Sequence, residues 1–394
     1  MAVSIALLVV LGLFSDFLFK KIKLPGLIGM LVVGILCGPY VFDILQPVLL
    51  SVSSDWRMVA LIIILLRAGL ELRRDTLNRV GKTALIMACL PAMLEGAVIM
   101  LLGPPLLGLT YLESAILGSI IAAVSPAVVV PFMIDLIRNK RGTKKGIPTM
   151  ILSASSVDDV FVIVIFTILL GIYTGSETNP FLKLLDIPEA MISGIAIGAV
   201  AGYMLYILFK KFDLRATKMT IVVVATSILL TWLEEELKTR VAMSALLGVM
   251  TVGFVLLERS EERAHKIASK LSKVWIFAEI LLFVLVGAQV NIHVAWRAGL
   301  AGALIIFTGL IARSIGTYLS VIGTDLNFRE RMFCVISYIP KATVQAAIGA
   351  VPLEAGVGGG EVILAVAVLS ILITAPLGAI GISLTGSRWL AKEG

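Results

Sequence analysis

The stretch IPTMILSASSVDDVFVIVIFTILLGIY, residues 147–173, decides how the whole chain is read. It is an apolar run long enough to cross a bilayer core of about 30 Å, for which a helix needs about 20 residues. Two adjacent aspartates, Asp158 and Asp159, nevertheless stand near its middle. Each charge at the centre of a membrane helix costs roughly 2.5–3.5 kcal/mol on insertion scales. A chain that keeps two of them has them facing protein or water, where intramembrane carboxylates do a job.

Apolar runs of this kind recur from end to end. The 394 residues are 59% hydrophobic and 15% charged, against roughly 25% charged in ordinary soluble domains. Backbone groups in lipid must be satisfied internally, so the runs are expected to be helices. Spans are expected near 3–19, 24–42, 57–71, 83–104, 114–136, 147–172, 189–209, 218–233, 241–257, 274–290, 298–321, 332–350 and 361–385, thirteen in all. The expectation is an all-α polytopic membrane protein with one membrane domain over residues 1–394. The first run has no basic segment before it and no small-residue cleavage site after it, so it reads as a retained helix rather than a signal peptide. Cys37, Cys89 and Cys334 are scattered through apolar runs, and His265 and His293 lie between runs. Neither set has the spacing of a disulfide framework or a zinc site. No cofactor is expected.

The net charge of +7 acquires meaning from its distribution. Alternate connecting segments hold 25 basic residues, among them Lys20, Lys21 and Lys23; Arg73, Arg74 and Arg79; and Arg138 to Lys145. The opposite set holds only Arg57, Lys183, Lys238, Arg240 and Arg297. Basic loops concentrate on the cytoplasmic side. The N-terminus is therefore expected outside and the C-terminus inside, in a cell inner (plasma) membrane. The positive charge is a topology signal, with contact to anionic lipid, and not a nucleic-acid surface.

Inside the runs, three basic residues remain, Arg67, Arg313 and Lys341; the acidic ones are Glu95, Asp158, Asp159 and, nearer a membrane face, Glu279. Helix neighbours point about 100° apart, so Asp158 and Asp159 cannot face the same way. One can line a pathway while the other meets a partner helix. Ser155 lies four residues before Asp159 and shares its face. A hydroxyl with a carboxylate is a hard-oxygen set suited to a small cation such as sodium. The alternative is an aspartate N-cap where the helix restarts after a break. Glu95 in Leu85–Leu102 and Arg313 in Leu304–Leu319 carry opposite charge at similar depth and are expected to form a buried structural ion pair. An always-protonated guanidinium is a poor proton carrier. Arg67, near the end of a short span, is expected to snorkel.

Ser125-Pro126 interrupts Ser114–Asp135, and Pro340-Lys341 interrupts Met332–Ala350. Mid-span proline breaks the hydrogen-bond ladder. Interrupted helices at corresponding positions of two halves point to a transport site, although simple kinks are the plainer alternative. The interrupted spans are the fifth and twelfth, and the Glu95 and Arg313 spans the fourth and eleventh. The offset of seven is odd. Two halves, about 1–173 and 218–385 joined by a helix near 189–209, are therefore expected to be inverted across the membrane. Lys341 either offsets carbonyl dipoles at the break or snorkels to one face.

The run Gly142-Thr143-Lys144-Lys145-Gly146-Ile147-Pro148-Thr149, followed by Ala154-Ser155-Ser156-Val157-Asp158-Asp159, resembles the NHA branch of sodium/proton exchangers. So do Val124-Ser125-Pro126-Ala127-Val128-Val129-Val130-Pro131 and Pro340-Lys341-Ala342-Thr343-Val344-Gln345-Ala346-Ala347. That branch belongs to the monovalent cation/proton antiporter superfamily, and the resemblance covers most of the chain. It implies inverted six-helix repeats, a homodimer, and a core domain moving against a dimerisation domain. It implies that Asp159 binds the ion with Asp158 as its motif partner, and that Glu95 pairs with Arg313. Many electrogenic relatives carry a lysine where Arg313 stands, a departure that bears on stoichiometry. The long termini of animal members are not seen, as expected of a prokaryotic version.

The expected activity is antiport of Na+ (or Li+) for H+ by alternating access, with cation and proton competing for Asp159. The alternatives are a K+/H+ antiporter and a sodium-coupled organic-anion symporter of similar fold. An enzyme is not expected: an intramembrane aspartyl protease needs two aspartates on separate helices converging on a water, and these two are adjacent.

Overall fold

The computed structural model describes residues 2–22, 24–71, 74–175, 180–212, 214–237 and 243–392. Lys23, Arg73, Lys238 and Arg240 of the loop sets, and the first two residues of the 241–257 span, lie outside the described residues. The helices are α1 (Ala2–Lys21), α2 (Gly26–Cys37), α3 (Pro47–Ser51), α4 (Ser53–Glu71), α5 (Arg74–Leu107), α6 (Tyr111–Ile121), α7 (Pro126–Arg138), α8 (Ile147–Thr174) and α9 (Pro180–Lys211). They continue with α10 (Ala216–Leu237), α11 (Ala245–Arg259), α12 (Glu261–Gln289), α13 (Ile292–Ser320), α14 (Phe328–Ser337), α15 (Thr343–Ile348), α16 (Val351–Glu354) and α17 (Gly360–Trp389). Among the described residues there is no strand, only an isolated bridge between Arg141 and Lys392.

Among the described residues, nine helical stretches are long and apolar enough to cross a membrane by length and composition, with α6 and α7 taken together as Tyr111–Arg138. The runs at 24–42, 57–71, 241–257 and 332–350 fall on α2, α4, α11 and the α14–α15 pair and are not among those nine. Two reasons apply. α2 has 12 residues and α11 has 15, while the run at 332–350 is split into helices of 10 and 6. α4 carries Asp55, Arg57, Arg67 and Glu71 within its 19 residues. Arg57, placed in a loop by the charge pattern, is instead helical and only 2% exposed.

Helices also run beyond the apolar segments. α12 begins at Glu261, well before the expected start at 274. Its first turns carry the i,i+4 pairs Glu262–Lys266 at 2.6 Å and Glu261–His265 at 3.4 Å on an exposed face. Ala264, Ile267 and Leu271 are buried on the other. Such amphipathic turns hold a helix without a continuous apolar run.

The chain divides into two compact units. One comprises Met1–Ser53, Arg79–Thr174 and Leu282–Gly394 and contains both interrupted spans. Its core joins Val124, Val129, Met133, Ile147, Ile151 and Ala154 from the α6–α8 region to Phe333, Cys334 and Tyr338 at the end of α14. The other unit comprises Ser54–Asn78 and Gly175–Leu281. There α9 packs on α11 through glycine: a Cβ on Gly198 would meet the backbone of Gly248, and one on Gly194 the backbone of Ser244. Lipid gives helices no hydrophobic reason to associate, so close backbone approach through small residues supplies the contact. Gly198→Leu is expected to force the two helices apart at a cost of about 1–3 kcal/mol. Thermal melting of the solubilised protein measures this, with Gly299→Leu, whose surroundings are open, as the control.

Candidate cation site

α6 starts on a capping box formed by Thr110 and Glu113 and reaches Ile121 with Ala122 as its C-cap. The chain restarts as α7 with Pro126 at the first helical position. Proline is well suited there, since it has no N–H to leave unsatisfied and its φ is preset. The same missing N–H leaves the Ala122 carbonyl, four residues back, without a ladder partner. In the second interrupted span α14 stops at Ser337, Pro340 lies in the gap, and α15 begins at Thr343.

The two gaps meet. The Ser125 N–H donates to the Pro340 carbonyl at 2.8 Å. The Thr343 N–H donates to Ser125 Oγ at 3.4 Å, and the Ser125 and Thr343 hydroxyls are 3.4 Å apart. The Lys341 N–H is taken by Thr374 Oγ1 of α17 at 2.9 Å.

Four charged side chains converge on this crossing, each no more than 1% exposed. Asp158 of α8 accepts from the Val124 N–H at 2.7 Å through Oδ2 and from Arg313 Nη2 at 3.1 Å through Oδ1. Arg313 of α13 donates through Nη1 to Glu95 Oε2 at 3.0 Å and to the Ala122 carbonyl. Its Nε donates to the Tyr338 carbonyl at 2.8 Å, and its guanidinium carbon lies 5.3 Å from the centre of the Tyr338 ring. Lys341 Nζ donates to Glu95 Oε2 at 2.6 Å. Two cations and two carboxylates balance one another. Burying an ion costs several kcal/mol even after relaxation, and only good geometry with further hydrogen bonds offsets it. Here the backbone at both gaps supplies them.

Asp159 stands outside this network. It is 8% exposed, and its Oδ1 is buried without a hydrogen-bond partner among the described residues. Ser155 is buried and donates to the Leu152 carbonyl at 3.0 Å. A donating hydroxyl keeps its lone pairs as acceptors. The adjacent aspartates thus have different surroundings: one is tied to an arginine and a backbone amide, while the other keeps an open oxygen.

The family model of the transmembrane sodium/hydrogen exchangers matches residues 3–387. The chain belongs to the sodium/hydrogen exchanger family. Human sodium/hydrogen exchanger 9B2 is 35% identical to this exchanger over 382 residues, covering 94% of this chain and 70% of that protein. Human sodium/hydrogen exchanger 9B1 is 29% identical over 384 residues, with 94% and 73% covered. Among solved structures, the sodium proton antiporter MjNhaP1 from Methanocaldococcus jannaschii shares the fold, with a TM-score of 0.83 over 98% of this chain and 97% of that one at 19% identity. Membership of the family makes this exchanger a multi-pass membrane transporter.

In this exchanger Ser125 sits in the gap with its hydroxyl toward Thr343, and Pro126 opens α7. Glu95 and Arg313 are brought together, but not alone. Lys341 is fully buried, so it does not snorkel, and its ammonium meets the Glu95 carboxylate rather than the carbonyls of a gap. Arg67 and Glu279 lie half-buried in α4 and α12. A search for charge passes over Tyr338, Thr374 and Gln345, because all three are neutral. Gln345 does offer a signal, as the one amide side chain in the short helix α15.

Proposed function

We propose that the chain exchanges Na+ (or Li+) for H+ by alternating access, with Asp159 as the group that cation and proton share. The observation that carries this is the open, buried Oδ1 of Asp159 beside paired Asp158, Glu95, Arg313 and Lys341. A bare carboxylate in an apolar interior is costly, whereas a protonated or cation-bound one is neutral. Proton and cation compete for the same oxygens, so binding one expels the other. Only the two loaded forms can change sides, which couples the fluxes without a separate gate. Ser155 adds a hard oxygen on the same helix face, while Asp158, the motif partner, is held beside the site by Arg313 and the Val124 N–H.

Stoichiometry follows from the balance of charge. Arg313 is engaged at Nε and at both terminal nitrogens, and Lys341 is engaged by Glu95. Asp159 is then left as the exchangeable charge, and one Na+ replaces one H+ with no net movement of charge. The alternation of basic loops supports a cytoplasmic C-terminus in a cell's plasma membrane. The mutual contact of the two gaps supports paired halves at 1–173 and 218–385, linked near 189–209, and the family resemblance supports a homodimer.

In vesicles containing the purified protein and a trapped pH dye, external Na+ is expected to drive protons out and raise the internal pH. Li+ should act similarly and K+ should not, and clamping the voltage at zero should leave the rate unchanged. An equal response to K+ would favour the potassium antiporter, and Na+ entry without proton movement the symporter.

A further inference from the structure

Gln345 of α15 is fully buried. Its Nε2 lies 2.9 Å from the Ile120 carbonyl oxygen, 3.3 Å from that of Ile121 and 2.9 Å from that of Ala123. Only the amide nitrogen fits there, because the carbonyl end would face three acceptors. The Ile120 and Ile121 carbonyls have lost their usual partners four residues on. The Val124 N–H goes instead to Asp158, and the Ser125 N–H to Pro340. Helix ends leave such carbonyls open, and here a side chain from the other interrupted span closes them.

The Ala123 carbonyl and the Val124 N–H belong to one peptide unit. Gln345 grips its oxygen edge and Asp158 its nitrogen edge, at 2.7 Å. Donation into a carbonyl polarises the peptide and strengthens its N–H as a donor. Gln345 therefore reaches Asp158 across a single peptide bond, without touching it.

We infer that Gln345 is a positioning residue for the aspartate pair: it fixes the Ala123–Val124 peptide so that Asp158 stays engaged and Asp159 is left open for cargo. This rests on the reading of Asp159 as the shared site. Without the amide, residues 120–124 lose their side-chain donor, the Val124 N–H drifts from Asp158, and a second poorly held carboxylate enters the competition.

Gln345→Met keeps length and bulk but removes the donor. In vesicle flux assays its half-saturating Na+ concentration is expected to rise about tenfold, the size of one weakened hydrogen bond to a charged group. The maximal rate should stay within about threefold of the parent, since the loss falls on binding. In an Asp158→Asn background the same substitution should change half-saturation by less than about twofold, because the group through which it acts is no longer an anion. An unchanged half-saturation in Gln345→Met, even with a lower melting temperature, would make Gln345 a helix cap only and overturn the inference. So would the same tenfold factor in both backgrounds. If the methionine variant does not fold, Gln345→Asn, whose amide is one carbon short, is read in the same two backgrounds by the same criteria. Asp159→Asn separates the two failures. Continued exchange in that variant sinks the site reading itself, whereas a silent Asp159→Asn beside a normal Gln345→Met sinks only the role given to Gln345.

Discussion

Vesicles carrying Asp159→Asn are expected to show no proton movement when sodium is added, while the protein inserts and melts as the parent does. Asparagine keeps the size of the side chain but can neither hold an exchangeable proton nor offer a negative charge. Among the described residues Asp159 makes no ion pair and its Oδ1 has no hydrogen-bond partner, so the substitution breaks no contact at that oxygen. Its effect on stability should be within about 1 kcal/mol, the range of changes that remove no packing or pairing. Asp158→Asn should weaken exchange less severely, since an amide oxygen still accepts from the Val124 N–H. Normal sodium-driven proton flux from Asp159→Asn would place the shared site elsewhere.

Arg313→Ala should produce the largest loss of stability. The arginine satisfies Glu95 and Asp158 together with the carbonyls of Ala122 and Tyr338. Its removal strands two buried carboxylates, of which only Glu95 keeps a second cation. Breaking a buried pair from one side typically costs about 3–5 kcal/mol. A drop in melting temperature of the solubilised protein measures this, while the ratio of Na+ to Li+ rates should change little. An unchanged melting temperature would contradict the view that the arginine holds the crossing together.

Much of this architecture was legible in the sequence, for identifiable reasons. The apolar runs announce helices because lipid leaves the backbone no other way to satisfy itself. Pro126 and Pro340 locate the gaps because a missing N–H has local consequences. Asp158, Asp159, Glu95, Arg313 and Lys341 stand out because charge at such depth is expensive. The partner of Lys341 was not legible: dipole compensation and snorkelling fitted the sequence equally, and the choice of Glu95 depends on which helices cross. Arg57 looked like a loop residue because only the packed structure reveals that its helix buries it. The amphipathic opening of α12 was missed for a different reason. A scan for apolar runs ends where the composition turns polar, whereas the backbone ladder continues. Tyr338 and Gln345 carry no charge, and their importance lies in backbone carbonyls that become visible only when the two gaps are in place.

The contact between those gaps has a consequence for how the protein can be altered. The amide of Ser125 is answered by Pro340 and that of Thr343 by the hydroxyl of Ser125, so each irregular segment completes the other's unfinished turns. A residue inserted into or deleted from one arm leaves polar groups stranded in its mate. Grafting an arm from a relative therefore requires grafting its counterpart too, and the two segments, more than two hundred positions apart in the chain, are a single engineering part.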